Sequence, residues 1–171
     1  MKKLSTRNIV LILVFLCLSS ITYAQDGWFK QKINNKITVS FPTEPKKLNE
    51  TSYALNQDNI IYAAYFVDLL KVTSLSLETF NKSIISQEYA DEFLKGLAPS
   101  FPKYVFEKPK IYNFQNCTSY AIYGKNSADK LTIQMNIVFV DGIAYTAGCI
   151  LPDNKESKLK DLFLANINIS K

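Results

Sequence analysis

Three groups of side chains in this sequence could do chemistry. Glu88, Asp91 and Glu92 stand close enough together to suggest a metal site, although such a group more often marks a solvated acidic face. Between Lys103 and Phe114, basic residues interleave with aromatics, and Tyr104, Phe106, Lys108, Lys110, Tyr112 and Phe114 share parity. That pattern can stack single-stranded nucleic acid or carbohydrate. Its plainer meaning is an edge strand on which Pro109 and the lysines block pairing with another chain. The third group is the cysteines: Cys17, Cys117 and Cys149.

What is missing limits the chemistry further. The chain has no histidine, and its one arginine, Arg7, falls in the N-terminal leader. Ser/His/Asp and Cys/His nucleophiles, histidine zinc sites and guanidinium clamps are therefore absent. Lysine, tyrosine or carboxylate catalysis would need a buried group with a strongly shifted pKa. No catalytic, cofactor-binding or metal-ligating residue is assigned from sequence, and no cofactor is expected. There is no phosphate loop and no internal repeat.

The leader itself reads as a targeting signal. Lys2, Lys3 and Arg7 precede the apolar run from Ile9 to Leu18, and Thr22-Tyr23-Ala24 supplies a signal-peptidase site. The run is about ten residues, too short for a permanent span of roughly 30 Å. Lipid attachment at Cys17 fits poorly, because Phe15-Leu16 precede it where a small residue is wanted. The sequence thus predicts a signal peptide at 1–24, a single domain at 25–171, and a periplasmic or secreted product with no stable transmembrane anchor. Losing three basic residues lowers the net charge from +5 to +2, so nothing demands nucleic acid or an acidic membrane.

Export would permit a disulfide between Cys117 and Cys149, but strand register argues against it. Counted from the Asp141-Gly142 turn, Cys149 faces about Gln134, which faces about Tyr120. Cys117 then lies two strands away, near 9–10 Å at about 4.8 Å per strand. A bridge needs Cα atoms within about 7 Å. Asn116-Cys117-Thr118 and Asn81-Lys82-Ser83 match the glycosylation pattern, a coincidence if the leader is bacterial.

The elements that must position these groups follow from periodicity. Trp28–Ile33 and Lys36–Phe41 read as a hairpin around Asn34-Asn35, stopped by Pro42-Thr43-Glu44-Pro45. Lys47–Leu55 and Ile60–Val67 read as a second hairpin, whose second strand is apolar on both faces and so should be central and covered on both sides. Leu77–Ala98 is predicted as one helix, with Ser76 as N-cap and a stripe through Phe80, Ile84, Ile85, Tyr89, Phe93, Leu94 and Leu97. Ile111–Leu151 reads as a three-stranded meander with Asp141-Gly142 as a hairpin turn. A last helix is expected after Pro152, capped by Asp153 with Glu156, docking through Leu159, Leu162, Phe163 and Ile167 while Lys155, Lys158 and Lys160 stay in water.

This order resembles the PsbP and DcrB-like proteins. Trp28, the run Ile37-Thr38-Val39-Ser40-Phe41-Pro42-Thr43-Glu44-Pro45, the Asp141-Gly142 hairpin and the C-terminal helix carry the likeness. The resemblance implies an α+β fold, an antiparallel sheet with helices packed on it, and transfers no catalytic residues. The function expected is a non-catalytic binding or assembly module of the bacterial envelope, with tyrosine-rich recognition of another envelope protein. The alternative is a carrier for a small apolar or aromatic ligand between sheet and helix. An apolar cavity of about 300 Å³ or more favours the carrier, and an exposed apolar patch favours the protein-binding module.

Overall fold

Turn residues and prolines cut the chain into strands of two to ten residues. The computed structural model describes residues 27–170; the expected leader, the cleavage after Ala24 and Cys17 lie outside the described residues. β1 (Phe29–Lys32) and β2 (Ile37–Phe41) form the expected first hairpin. Then come β3 (Lys46–Asn49), β4 (Ser52–Gln57) and β5 (Ile60–Asp68). Three helices follow: α1 (Leu69–Thr73), α2 (Leu77–Ser83) and α3 (Gln87–Leu97). β6 (Val105–Phe106), β7 (Lys110–Phe114), β8 (Cys117–Asn126), β9 (Leu131–Val140) and β10 (Ile143–Pro152) lead to α4 (Lys158–Ala165) and β11 (Ile167–Ile169).

The strands make an eight-stranded antiparallel sheet, in the order β3-β4-β5-β10-β9-β8-β6 with β7 also on β8, and a three-stranded sheet β1-β2-β11. Two-residue turns with both φ positive close three of the hairpins: Asp58-Asn59, Gln115-Asn116 and Asp141-Gly142. One face of the large sheet packs on the small sheet and α4, around Phe163, whose ring sits 4.9 Å from Phe41 and 5.1 Å from Tyr62. The other face, through Tyr120, Ile137 and Phe139, packs under α2 and α3. The α+β class expected from sequence is what the structure has.

Several local expectations are corrected. The strand predicted at 47–55 is two strands, because Asn49 Oδ1 accepts from Thr51 N at 2.8 Å and turns the chain between β3 and β4. The single helix over 77–98 is broken. Ser76 caps α2 as expected, but Ser86 starts α3 afresh by accepting from Tyr89 N at 3.2 Å. Ile85 falls in the break and is exposed rather than part of the buried stripe. The meander has four strands, since β7 joins it through Gln115-Asn116.

At the C-terminus, Pro152 is still paired within β10, so Asp153 is no cap; it takes an ion pair with Lys125 at 3.3 Å. Ser157 caps α4 instead, accepting from Lys160 N at 3.4 Å. Lys160 is largely covered, contrary to expectation, and pairs with Asp161 at 3.0 Å. Ile167 docks from β11, not from the helix. Finally, β5 is central but covered on one side only: Tyr62 and Ala64 are buried, whereas Ile61 and Val67 on the opposite face are 41% and 40% exposed.

Candidate binding groove

That half-covered face of β5 leaves Ile61 and Val67 exposed. The helical layer stops short of β5, leaving a groove of about 390 Å³ between α1, α3 and the sheet. Its floor is Tyr65 and Val67 of β5 with Ala144 and Thr146 of β10. These stand side by side because Ala144 pairs with Val67 and Thr146 with Tyr65. One wall is Leu69 and Val72 of α1. The other is Tyr89, Glu92, Phe93 and Gly96 of α3, residues spaced i, i+3, i+4 and i+7 and hence one stripe of the helix.

Each wall is fixed by specific contacts. Asp68 accepts from Lys71 N at 3.2 Å and so caps α1, and that hydrogen bond, with the Lys71 ammonium, holds its carboxyl below the usual range. Leu69 N donates to the Gly142 carbonyl at 3.0 Å, tying α1 to the β9–β10 turn. On the far side, Tyr120 Oη donates to the Ile84 carbonyl at 2.6 Å and pins the break between α2 and α3. Phe93 packs edge-on against Tyr120 and Phe139, at 5.8 Å and 5.7 Å.

The groove offers little charge. Among the described residues lining it, Glu92 alone is an acidic or basic residue, and its carboxylate pairs with Lys95. The Thr73 hydroxyl is committed to the Leu69 carbonyl at 2.7 Å. Burial pushes the phenols of Tyr65 and Tyr89 up from their ordinary values, so both stay neutral, with Tyr65 Oη already donating to Met135 Sδ at 3.9 Å. The arrangement suits an apolar molecule with a hydroxyl or carbonyl to spare.

The residues singled out from sequence do not converge on one site. Asp91 accepts from Gln87 at 2.8 Å and pairs with Lys108 at 3.7 Å, while Glu88 is exposed on the solvent side of α3. Among the described residues no three His, Cys, Asp or Glu side chains gather as a metal site. The aromatic and lysine row is split between the two faces of the sheet. Phe106 pairs with Gly124 but Lys110 with Ala121, a one-residue slip at Pro109 that reverses facing. Tyr104 and Phe106 therefore pack beneath the helices, and Phe114 packs on the opposite core. The expected edge is there, but as two short strands, β6 and β7, and Pro109 falls in the gap between them rather than within a strand.

Cys117 and Cys149 are both free thiols, and Gln134 faces Tyr123 rather than Tyr120, which moves Cys117 further along its strand. The strongest pKa shifts lie in the cores, not in the groove. Burial pushes Tyr62 up to about 12, and raises Tyr120 and Cys149 well above their ordinary values. No helix among the described residues is long and apolar enough to cross a membrane. The groove residues Val67, Val72 and Gly96 were missed from sequence; the apolar second face of β5 was the available signal.

No family model and no curated protein matches the chain. Among solved structures, the chain is similar to the solution structure of cyanobacterial PsbP (CyanoP) from Synechocystis sp. PCC 6803, with a TM-score of 0.61 at 7% identity. The match covers 84% of this chain and 93% of that one. A crystal structure from Bacteroides thetaiotaomicron VPI-5482 matches with a TM-score of 0.41 at 11% identity, over 83% of this chain and 48% of that one. The α+β fold is PsbP-like, as the sequence resemblance implied.

Proposed function

We propose that this chain is a non-catalytic binding module of the cell envelope and that the groove between α1, α3 and the sheet is its binding site. The single observation that carries the reading is an apolar concavity of about 390 Å³, within the range of small-molecule sites. Its contents would be a small apolar or aromatic ligand, so the chain would act as a carrier. Burying such a ligand against Val67, Val72 and Phe93 removes apolar surface from water on both partners, at roughly 25 cal/mol per Å². The charged leader and its cleavage site support export, and the lack of any histidine, and of arginine beyond Arg7 of the leader, supports a role without catalysis.

A protein partner is the second reading, favoured by the exposure of Val67 and Val72 in the groove, Val72 being 70% exposed. Native mass spectrometry of the protein isolated from the cells that make it separates the two. A stoichiometric small added mass supports the carrier, and a co-purifying protein supports the assembly role. Bare protein that also fails to take up an added apolar probe would remove the groove from the account.

A further inference from the structure

Gly96 has no structural reason to be a glycine. It lies inside α3, one residue before the helix ends, where glycine costs stability relative to alanine. Its φ is not in the left-handed region, which Gly27 and Gly142 alone occupy among the described glycines. A β-carbon added at Gly96 would meet no heavy atom within 4 Å. Neither backbone geometry nor packing asks for the missing side chain. What Gly96 does have is position, on the same helical stripe as Tyr89, Glu92 and Phe93 and in the groove wall.

We propose that Gly96 is the aperture of the groove, and that the space left by its missing side chain admits a neutral, ring-bearing apolar ligand. This rests on the groove being the binding site. The ring preference follows from the aromatic walls, since Tyr65, Tyr89 and Phe93 can meet a ligand ring edge-to-face. Neutrality follows from the Glu92 carboxylate, which disfavours an anion at the rim, and from its ion pair with Lys95, which leaves no unpaired charge to draw in a cation. A side chain at position 96 would project from the wall into the mouth and occupy the room a ring needs.

The test uses the neutral fluorescent probe N-phenyl-1-naphthylamine with the purified full chain, Gly96→Ala and Gly96→Leu, together with thermal melts. The wild type should bind one probe per chain. Gly96→Ala should melt about 3 °C higher with affinity within about threefold, and Gly96→Leu should melt no lower than wild type yet bind more than tenfold more weakly. Equal affinity in wild type and Gly96→Leu would overturn the aperture while leaving the groove reading intact. No binding by the wild type would overturn both. If Gly96→Leu melts below wild type, Gly96→Met decides in its place, by the same tenfold criterion.

Discussion

Leu70 of α1 lies over Gly142 so closely that a β-carbon there would overlap its side chain. The turn between β9 and β10 and the first wall of the groove are therefore one mechanical unit, fastened also by Leu69 N to the Gly142 carbonyl. Gly142 meets two demands at once, a φ of 79° and the absence of a side chain.

Gly142→Ala should accordingly destabilise the fold by about 1–3 kcal/mol, from the positive φ and the displaced Leu70 together. Urea denaturation reads the loss. Amide exchange should show α1 opening first, because its short length leaves it dependent on that contact. Unchanged stability would mean that Leu70 moves aside freely.

Tyr120→Phe should cost about 1–3 kcal/mol, by leaving the buried Ile84 carbonyl without its donor. The ring stays and keeps its 4.6 Å packing on Phe139, so the loss isolates the hydrogen bond. The same denaturation experiment checks it, and a loss below about 0.3 kcal/mol would show that the junction of α2 and α3 is held by packing alone.

Alkali should unfold this protein early. Tyr62, Tyr120 and Cys149 all have folded pKa values raised above their ordinary 10.0, 10.0 and 9.0, in each case chiefly by burial. Below pH 9 both folded and unfolded chains hold these protons, and their contribution is complete. As pH climbs past the unfolded values, the unfolded chain releases protons that the folded chain keeps, so stability falls by about 1.4 kcal/mol per pH unit for each group. For Tyr62 the fall continues to about pH 12. Denaturation midpoints at pH 8, 9.5 and 11 should decrease in that order, and Tyr62→Phe should flatten the slope. A profile level from pH 8 to 11 would contradict the burial of these groups.

Thiol chemistry should separate the two core cysteines. Cys149 is fully buried with its thiol raised by burial, and Cys117 is half-buried. An aromatic disulfide reagent should label Cys117 in the native state over minutes, and Cys149 only in denaturant. Intact mass should not change on reduction. A gain of two mass units would reveal a Cys117–Cys149 bridge and displace β8 or β10 from the register seen here.

Features governed by a local rule were legible in the sequence. Asp141-Gly142 declares a type I′ turn through its own residue types, and Ser76 declares a cap. Register was legible where a tight turn fixes it, as with Cys149 opposite Gln134; register across longer connections and coverage are tertiary, and they were not. The slip at Pro109 that parts Phe106 from Tyr112 depends on how two short strands share the edge of β8. The break at Ser86 is set by the Ile84 carbonyl turning to meet Tyr120, thirty-six residues away. The groove was hidden for a related reason. An apolar second face on β5 reads as a covered strand, and no local pattern shows that α3 would halt beside it. Gly96 carries no signal in the sequence, and only the stripe it shares with Tyr89 and Phe93 places it beside the cavity.

The central claim is that the groove is where this protein binds. Its most direct test is amide and methyl chemical-shift mapping of the full chain during titration with N-phenyl-1-naphthylamine. Saturating shifts should concentrate at Val67, Val72, Phe93, Gly96 and Ala144, and leave Phe41, Tyr62 and Phe163 on the opposite core unmoved. Shifts absent from the groove, or centred on the far face, would contradict the account.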